Sequence, residues 1–263
     1  MTKQREDETP GELRAACRSG AYDGPTSGHA PGFVQANMVI LPAAYADAFR
    51  LFCDLNPQPC PVLEILDPGA TEPKKIAPGA DIRTDLPRYR VFRNGQVAEE
   101  PSDIRDLWQD DFVTFLLGCS FVAEKPLTDA GLLLPHIAET GFVPMYRTTV
   151  PCRPADPFEG TMVVSMRPFA PADADRAAEI TAHYPMAHGA PVHIGDPDML
   201  GIRDLSNPEF GRPVTIGEGE VPVFWACGVT PQEALTRARL PIAITHSPGH
   251  MFVADITSES TRV

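Results

Sequence analysis

The chain has 263 residues, 43% of them hydrophobic, and a formal net charge of −13 that no Lys/Arg-rich stretch offsets. That apolar share supports a real core in one large domain or two modest ones and argues against disorder. The charge repels phosphate backbones and anionic headgroups, which excludes nucleic acid and membrane as partners and leaves a small acidic metabolite held by a few cleft arginines. Twenty-nine prolines fix φ at many positions, so long uninterrupted helices are not expected. The N-terminus is charged where a secretory signal needs an apolar core, and no apolar run reaches the ~20 residues needed to span a bilayer. Six cysteines without CxxC pairing fit free thiols in a reducing cytoplasm, so a cytoplasmic location is expected.

Residues 1–12 read as a loosely attached polar tail. Residues 18–37, rich in glycine and without periodicity, read as a long loop that offers Arg18, Thr26, Ser27, Gln35 and Asn37. A helix is expected from Pro42, with Tyr45, Ala48, Phe49 and Phe52 on one face. Residues 61–66 suggest a strand, and 88–93 with the Asn94-Gly95 turn and 96–98 suggest a hairpin. A helix is expected over Ser102–Leu117: Ser102 is the cap, Ile104, Trp108, Phe112 and Phe115 form the buried stripe, and Gly118 is the stop. Beyond Gly141 come extended segments at 143–150 and 161–166, a helix at 173–183 and a strand at 190–194, the order of a small α+β unit. Val221–Ala226 reads as a buried parallel strand, Thr230-Pro231-Gln232-Glu233 as a capping box opening a helix to Arg239, and 240–245 as a second strand, together a βαβ unit.

In parallel sheets ligands sit beyond the carboxyl ends of strands, which selects Cys227-Gly228 and the loop 246–250. His246 and His250 are then candidates for general acid and base, or else loop histidines that cap carbonyls. The Cys119-Ser120 turn offers a thiol, a hydroxyl and anion-binding N–H groups, with Glu124 close behind as a general acid or a dipole partner. Gln35 and Asn37 suit a carboxylate or amino-acid ligand, the alternative being an Ω-loop packed on itself. Arg147, with no acid beside it in sequence, is the candidate carboxylate clamp. His183, His188 and His193 recur every five residues, which does not return to one helical face, and Gly217-Glu218-Gly219 lacks the rest of a phosphate loop. Neither a metal nor a cofactor is expected.

Several segments together carry a family resemblance: 28–32 leading to Gln35-Ala36-Asn37, 118–121 with Glu124, 143–148, 160–168, 188–195, 221–232 and 244–251. The set is similar to the D-glutamate cyclase family, whose stand-alone bacterial members are named as hydro-lyases, and it covers about residues 13–256. Ala123 stands where the family pattern has an aromatic, and Thr149 where it has Asn. The resemblance implies an α/β fold with a larger three-layer αβα domain (13–141 plus 221–257) and a smaller inserted α+β domain (142–220). It also implies a hydro-lyase acting on a small amino or hydroxy acid, interconverting D-glutamate and 5-oxo-D-proline. On that reading Arg147 and the Gln35/Asn37 loop hold the α-carboxylate and His246 or His250 takes the ammonium proton. Glu124 or the other histidine protonates the leaving oxygen, and Cys119-Ser120 stabilises the oxyanion. The alternatives are a Cys119- or Cys227-dependent hydrolase and a binding protein without turnover. A homo-oligomer is compatible with all three.

Overall fold

The computed structural model describes residues 7–263, so residues 1–6 of the expected tail lie outside the described part. The elements in chain order are α1 (Pro10–Arg18), β1 (Phe33–Pro42), α2 (Ala46–Leu55), β2 (Val62–Ile65), β3 (Tyr89–Arg93), β4 (Gln96–Glu99) and β5 (Phe112–Gly118). There follow α3 (Glu124–Asp129), α4 (Pro135–Glu139), β6 (Met145–Pro151), β7 (Thr161–Phe169), α5 (Pro171–Ala182), β8 (His193–Ile194), β9 (Val221–Ala226), α6 (Thr230–Ala238), β10 (Ala243–His246) and β11 (Phe252–Thr257). The chain is a mixed α/β protein with two sheets. The first runs β2-β5-β1-β10-β3-β4, with β11 also paired to β1, and the second runs β6-β7-β9-β8. Every pairing in both sheets is antiparallel.

Three expectations need correction. The helix expected over Ser102–Leu117 does not form: Arg105–Leu107 make a single 3-10 turn, and Phe112–Gly118 is a strand at the heart of the first sheet, between β1 and β2, with all seven residues buried. Phe-Val-Thr-Phe-Leu-Leu is apolar at every position but one, so it satisfies a helical stripe and a two-sided strand equally, and periodicity cannot separate them. Residues 33–37, the end of the expected loop, are instead the start of the ten-residue strand β1 (Phe33–Pro42), to which β5, β10 and β11 all pair. The expected parallel βαβ unit does not form. β9 pairs with β7 and β8 in the second sheet and β10 with β1 and β3 in the first, so α6 joins the two sheets rather than two neighbouring strands. With no parallel sheet, the strand-end rule has nothing to act on here.

The N-terminal segment is also firmer than its composition suggests. Thr9 caps α1, exchanging hydrogen bonds with Glu12, and Arg14 reaches the Val253 carbonyl at 2.7 Å and Asp255 at 2.9 Å. Residues 10–12 of the expected tail are thus the first turn of a helix clamped to β11.

One apolar cluster unites the two sheets, carrying Met38, Ile40 and Leu116 from the first with Val223 and Trp225 from the second. A second cluster packs α2 on the sheet through Phe49, whose ring meets Phe115 edge-on at 4.8 Å and Phe158 at 5.1 Å. The first sheet is approached closely at Gly118 by the 185–187 turn after α5, where a Cβ on Gly118 would lie 1.6 Å from the Met186 carbonyl oxygen. Gly118 is therefore a contact point rather than a helix cap. Gly118→Ala must push one backbone off another, and the expected cost is about 1–3 kcal/mol. The check is a lower denaturant midpoint at an unchanged slope.

Candidate active site

Four distant stretches meet at the top of β1. The loop after α1 is tied to the loop before β11 by the Thr26 N–H donating to the Gly249 carbonyl (2.8 Å) and the Met251 N–H donating to Thr26 Oγ1 (3.0 Å). Ser27 Oγ donates to both oxygens of Glu124, at 3.2 and 3.1 Å. Asn37 Nδ2 donates to the Gly118 carbonyl at 2.5 Å. Across from it Gly228 lies so near that a Cβ would stand 2.0 Å from Asn37 Nδ2. Residues 26–37, 118–124, 227–228 and 249–251 thus converge.

Glu124, the first residue of α3, is the hub and only 5% exposed. His136 Nε2 lies 2.8 Å from its Oε1, and Arg167 Nη2 lies 3.6 Å from the same oxygen. His136 and Arg167 are themselves buried, at 1% and 2% exposure. Burial pushes the His136 pKa down, more than the neighbouring carboxylate lifts it, so the neutral ring donates its Nε2–H to Glu124. Burial also lowers the pKa of Arg167, with Glu124 acting in the opposite sense. An arginine nevertheless stays charged inside a protein, and this one is positive against Glu124. Its Nη2 donates to Ser120 Oγ (3.2 Å) and its Nη1 to Ser165 Oγ (3.3 Å), while the guanidinium lies 5.6 Å from the Trp225 ring centre.

Glu124 forms part of the wall of a cavity of about 250 Å³ with Gly28, Gly32, Gln35, Lys125 and Asp129. The wall made by residues 28–32 needs a left-handed backbone at Gly28, Ala30 and Gly32, with φ of 76°, 40° and 86°. Ala30 pays a steric penalty there, a kind of strain that clusters at ligand sites. This wall is held from behind by His29, whose Nδ1 lies 2.7 Å from Glu8 and Nε2 2.9 Å from the Tyr22 hydroxyl. At the cavity wall Lys125 pairs with Asp129 at 2.7 Å.

Of the residues singled out from sequence, Gln35 and Glu124 line this cavity. Cys119 and Cys227 are buried in one apolar cluster with Phe121 and Met251, and Ser120 faces Arg167. Burial raises both thiols, that of Cys227 to about 11, so neither supplies a thiolate at neutral pH. His246 is buried to 1%, and its Nδ1 accepts the Met38 N–H at 3.1 Å. His250 packs on Phe142 with Nδ1 on the Pro248 carbonyl. The two arginines lie elsewhere. Arg18, on α1, makes a two-pronged bond to Asp85, and Arg147 is paired with Glu233 at 2.8 Å and stacked over Phe210. Arg147 as a carboxylate clamp is thus corrected, because the acid missing beside it in sequence comes from α6. Glu233 in turn makes no capping box, and Thr230 Oγ1 instead donates to the Cys227 carbonyl and accepts from the Val163 N–H.

His136 and Arg167 were overlooked. The readable signal was a charge inside the apolar strand Val163-Val164-Ser165-Met166-Arg167, since a cation buried in a two-sided strand must have an acid nearby. Arg167→Met should destabilise by about 3–5 kcal/mol by leaving the Glu124 carboxylate uncompensated. Adding Glu124→Gln should restore much of that loss, a non-additivity that a double-mutant cycle in denaturant would measure.

Two buried histidines set the acid limit. Burial depresses His246 to about 3 and His188 to about 4, below their ordinary 6.5. The unfolded chain therefore binds protons first. The stabilisation from keeping them neutral is complete above pH ~6.5 and drains at about 1.4 kcal/mol per pH unit per histidine as pH falls toward the folded values. Urea titrations between pH 7 and 4.5 should show this slope, and His246→Gln should lower it by one histidine's share.

The fold and site define an α/β protein whose two antiparallel sheets close on a buried carboxylate beside a small cavity. Comparison with known proteins supplies the family: the model for D-glutamate cyclase matches residues 113–255. Relatives bearing the name "Putative hydro-lyase" include one from Rubrobacter xylanophilus, 56% identical over 93% of this chain and 94% of its own. Another is from Bradyrhizobium diazoefficiens, 53% identical over 100% and 98%. A third is from Geobacillus kaustophilus, 54% identical over 96% of each. The chain belongs to the D-glutamate cyclase family. A nitrogen repressor-like protein from Methanococcus jannaschii overlays with a TM-score of 0.39 at 12% identity, over 89% of this chain and 91% of that one, a likeness that carries no argument. No helix among the described residues is long and apolar enough to cross a membrane.

Proposed function

We propose that this chain is a hydro-lyase that removes water from a small amino or hydroxy acid in the cavity walled by residues 28–35 and 121–137, with Glu124 as the proton carrier. One observation carries the reading: a buried carboxylate, backed by a neutral histidine and a buried arginine, forms part of the wall of a cavity sized for a small metabolite. The family supports loss of water as the reaction class.

For D-glutamate the chemistry balances as follows. The ammonium gives one proton to Glu124, and the freed amine attacks the γ-carboxyl carbon. The new N–C bond forms, the nitrogen sheds a second proton, and the C–O bond breaks. The departing oxygen leaves as water, taking up both protons, one of them returned by Glu124. His136 donates to Glu124 Oε1 throughout, and Arg167 compensates its charge when it is ionised. His246 is less suited to the role of base: it is neutral, weakly basic at about 3, and has one ring nitrogen committed to the Met38 N–H. The raised thiols count against the cysteine hydrolase.

Purified protein incubated with D-glutamate should form 5-oxoproline, followed by chromatography of the product. Glu124→Gln keeps the shape and the His136 contact and should cut the rate by about 10²–10⁴-fold, measured below a melting temperature that falls because Arg167 loses its countercharge. A ligand that raises the melting temperature yet yields no product would instead mark a binding protein.

A further inference from the structure

From the polarity of the cavity wall we infer that this site takes its ligand with an ammonium group inward, and that Gln35 is the residue that selects for it. The inference rests on the cavity proposed above as the site of water loss, and it reverses the expectation that the amides of β1 hold a carboxylate.

A carboxylate needs N–H donors. Gln35 has none to give, because its Nε2 donates to the carbonyls of Thr26 (2.9 Å) and His29 (3.2 Å). Those bonds also fix which way the amide faces: a flip would set Oε1 against two carbonyl oxygens. Asn37 is held likewise, with Nδ2 on the Gly118 carbonyl. Other side-chain donors nearby are engaged as well, except Arg167 Nε, which has no partner but belongs to a residue that does not line this cavity. Ser27 gives its hydroxyl proton to Glu124, His136 its Nε2–H to the same carboxylate, and Arg167 its Nη groups to Ser120 and Ser165.

The acceptors are the reverse case. Gln35 Oε1 is closed off from solvent and has no hydrogen-bond partner, although the residue lines the cavity and is only 3% exposed. An unpaired buried carbonyl is costly and calls for a donor. Glu124 lines the same cavity, and its Oε2 receives only the Ser27 hydroxyl. A wall with spare acceptors and a carboxylate fits a group with several N–H bonds and a positive charge. An ammonium supplies three donors, a hydroxyl one and a keto oxygen none. Lys125 is the cation of the cavity wall, half exposed and paired with Asp129, and it faces the acid end of such a ligand. Gln35 touches ligand without moving a proton, so it is a specificity residue.

Isothermal titration of the full chain with D-glutamate, D-2-hydroxyglutarate and glutarate tests this, since the three differ only at the amine position. D-Glutamate should bind at least tenfold tighter than either of the others. Gln35→Met keeps the length and removes the acceptor. It should weaken D-glutamate to the level of glutarate while leaving glutarate unchanged. The comparison on the unaltered protein stands even where the variant fails to fold. Hydroxyglutarate or glutarate binding as tightly as D-glutamate overturns the inward ammonium while leaving an acid site in place. Equal weakening of all three ligands by Gln35→Met overturns the selective role of Gln35. Failure of all three to bind the unaltered protein overturns this inference together with the proposed function.

Discussion

The buried contact between Glu124 and Arg167 is the constraint around which the rest is arranged. Glu124 comes from the helix that follows β5 of the first sheet, and Arg167 from β7 of the second. Each charge is nearly inaccessible to water, so each requires the other, and removing one costs far more than the pair contributes. The two sheets must therefore close in a single arrangement that brings β5 and β7 together. The close approach of Gly118 to Met186 and the shared apolar cluster belong to the same closure.

That closure also shapes the cavity. Packing the sheets brings the loops at the ends of β1 and β5 and before β11 into one place, where Gln35 and Glu124 line one cavity and Ser27 holds the Glu124 carboxylate. A neutral histidine and a paired arginine keep the carboxylate in a low-dielectric setting without leaving a net charge to be hydrated. The loop 28–32 reaches the cavity only through left-handed residues, including one alanine. Local backbone preference thus yields to the tertiary packing of this loop, at a steric cost at Ala30.

Much of the local structure was legible. The hairpin at Asn94-Gly95, the strands at 62–65, 145–151 and 161–169 and the helix at 171–182 follow from turn chemistry and periodicity, and the helix expected from Pro42 is present but begins only at Ala46, since Pro42 ends β1. Gln35, singled out as a loop amide, and Glu124, singled out as the acid behind the Cys119-Ser120 turn, line one cavity. The central strands were not legible: β5 reads as a helix because an unbroken apolar run has no period, and β1 hides behind the glycines that precede it. The pairing of Arg147 with Glu233 and of Arg18 with Asp85 joins residues 86 and 67 positions apart, which no local spacing encodes.

Composition and motif by themselves determined the acidic folded domain, the family and most of the element types, since these depend on neighbours along the chain. Tertiary structure alone decided the antiparallel order of both sheets, the partner of each arginine and which polar atoms stay unpaired. The physical reason is that burial, not residue type, sets whether an amide, a thiol or a histidine has a donor or a proton to offer, and burial is a property of the packed molecule.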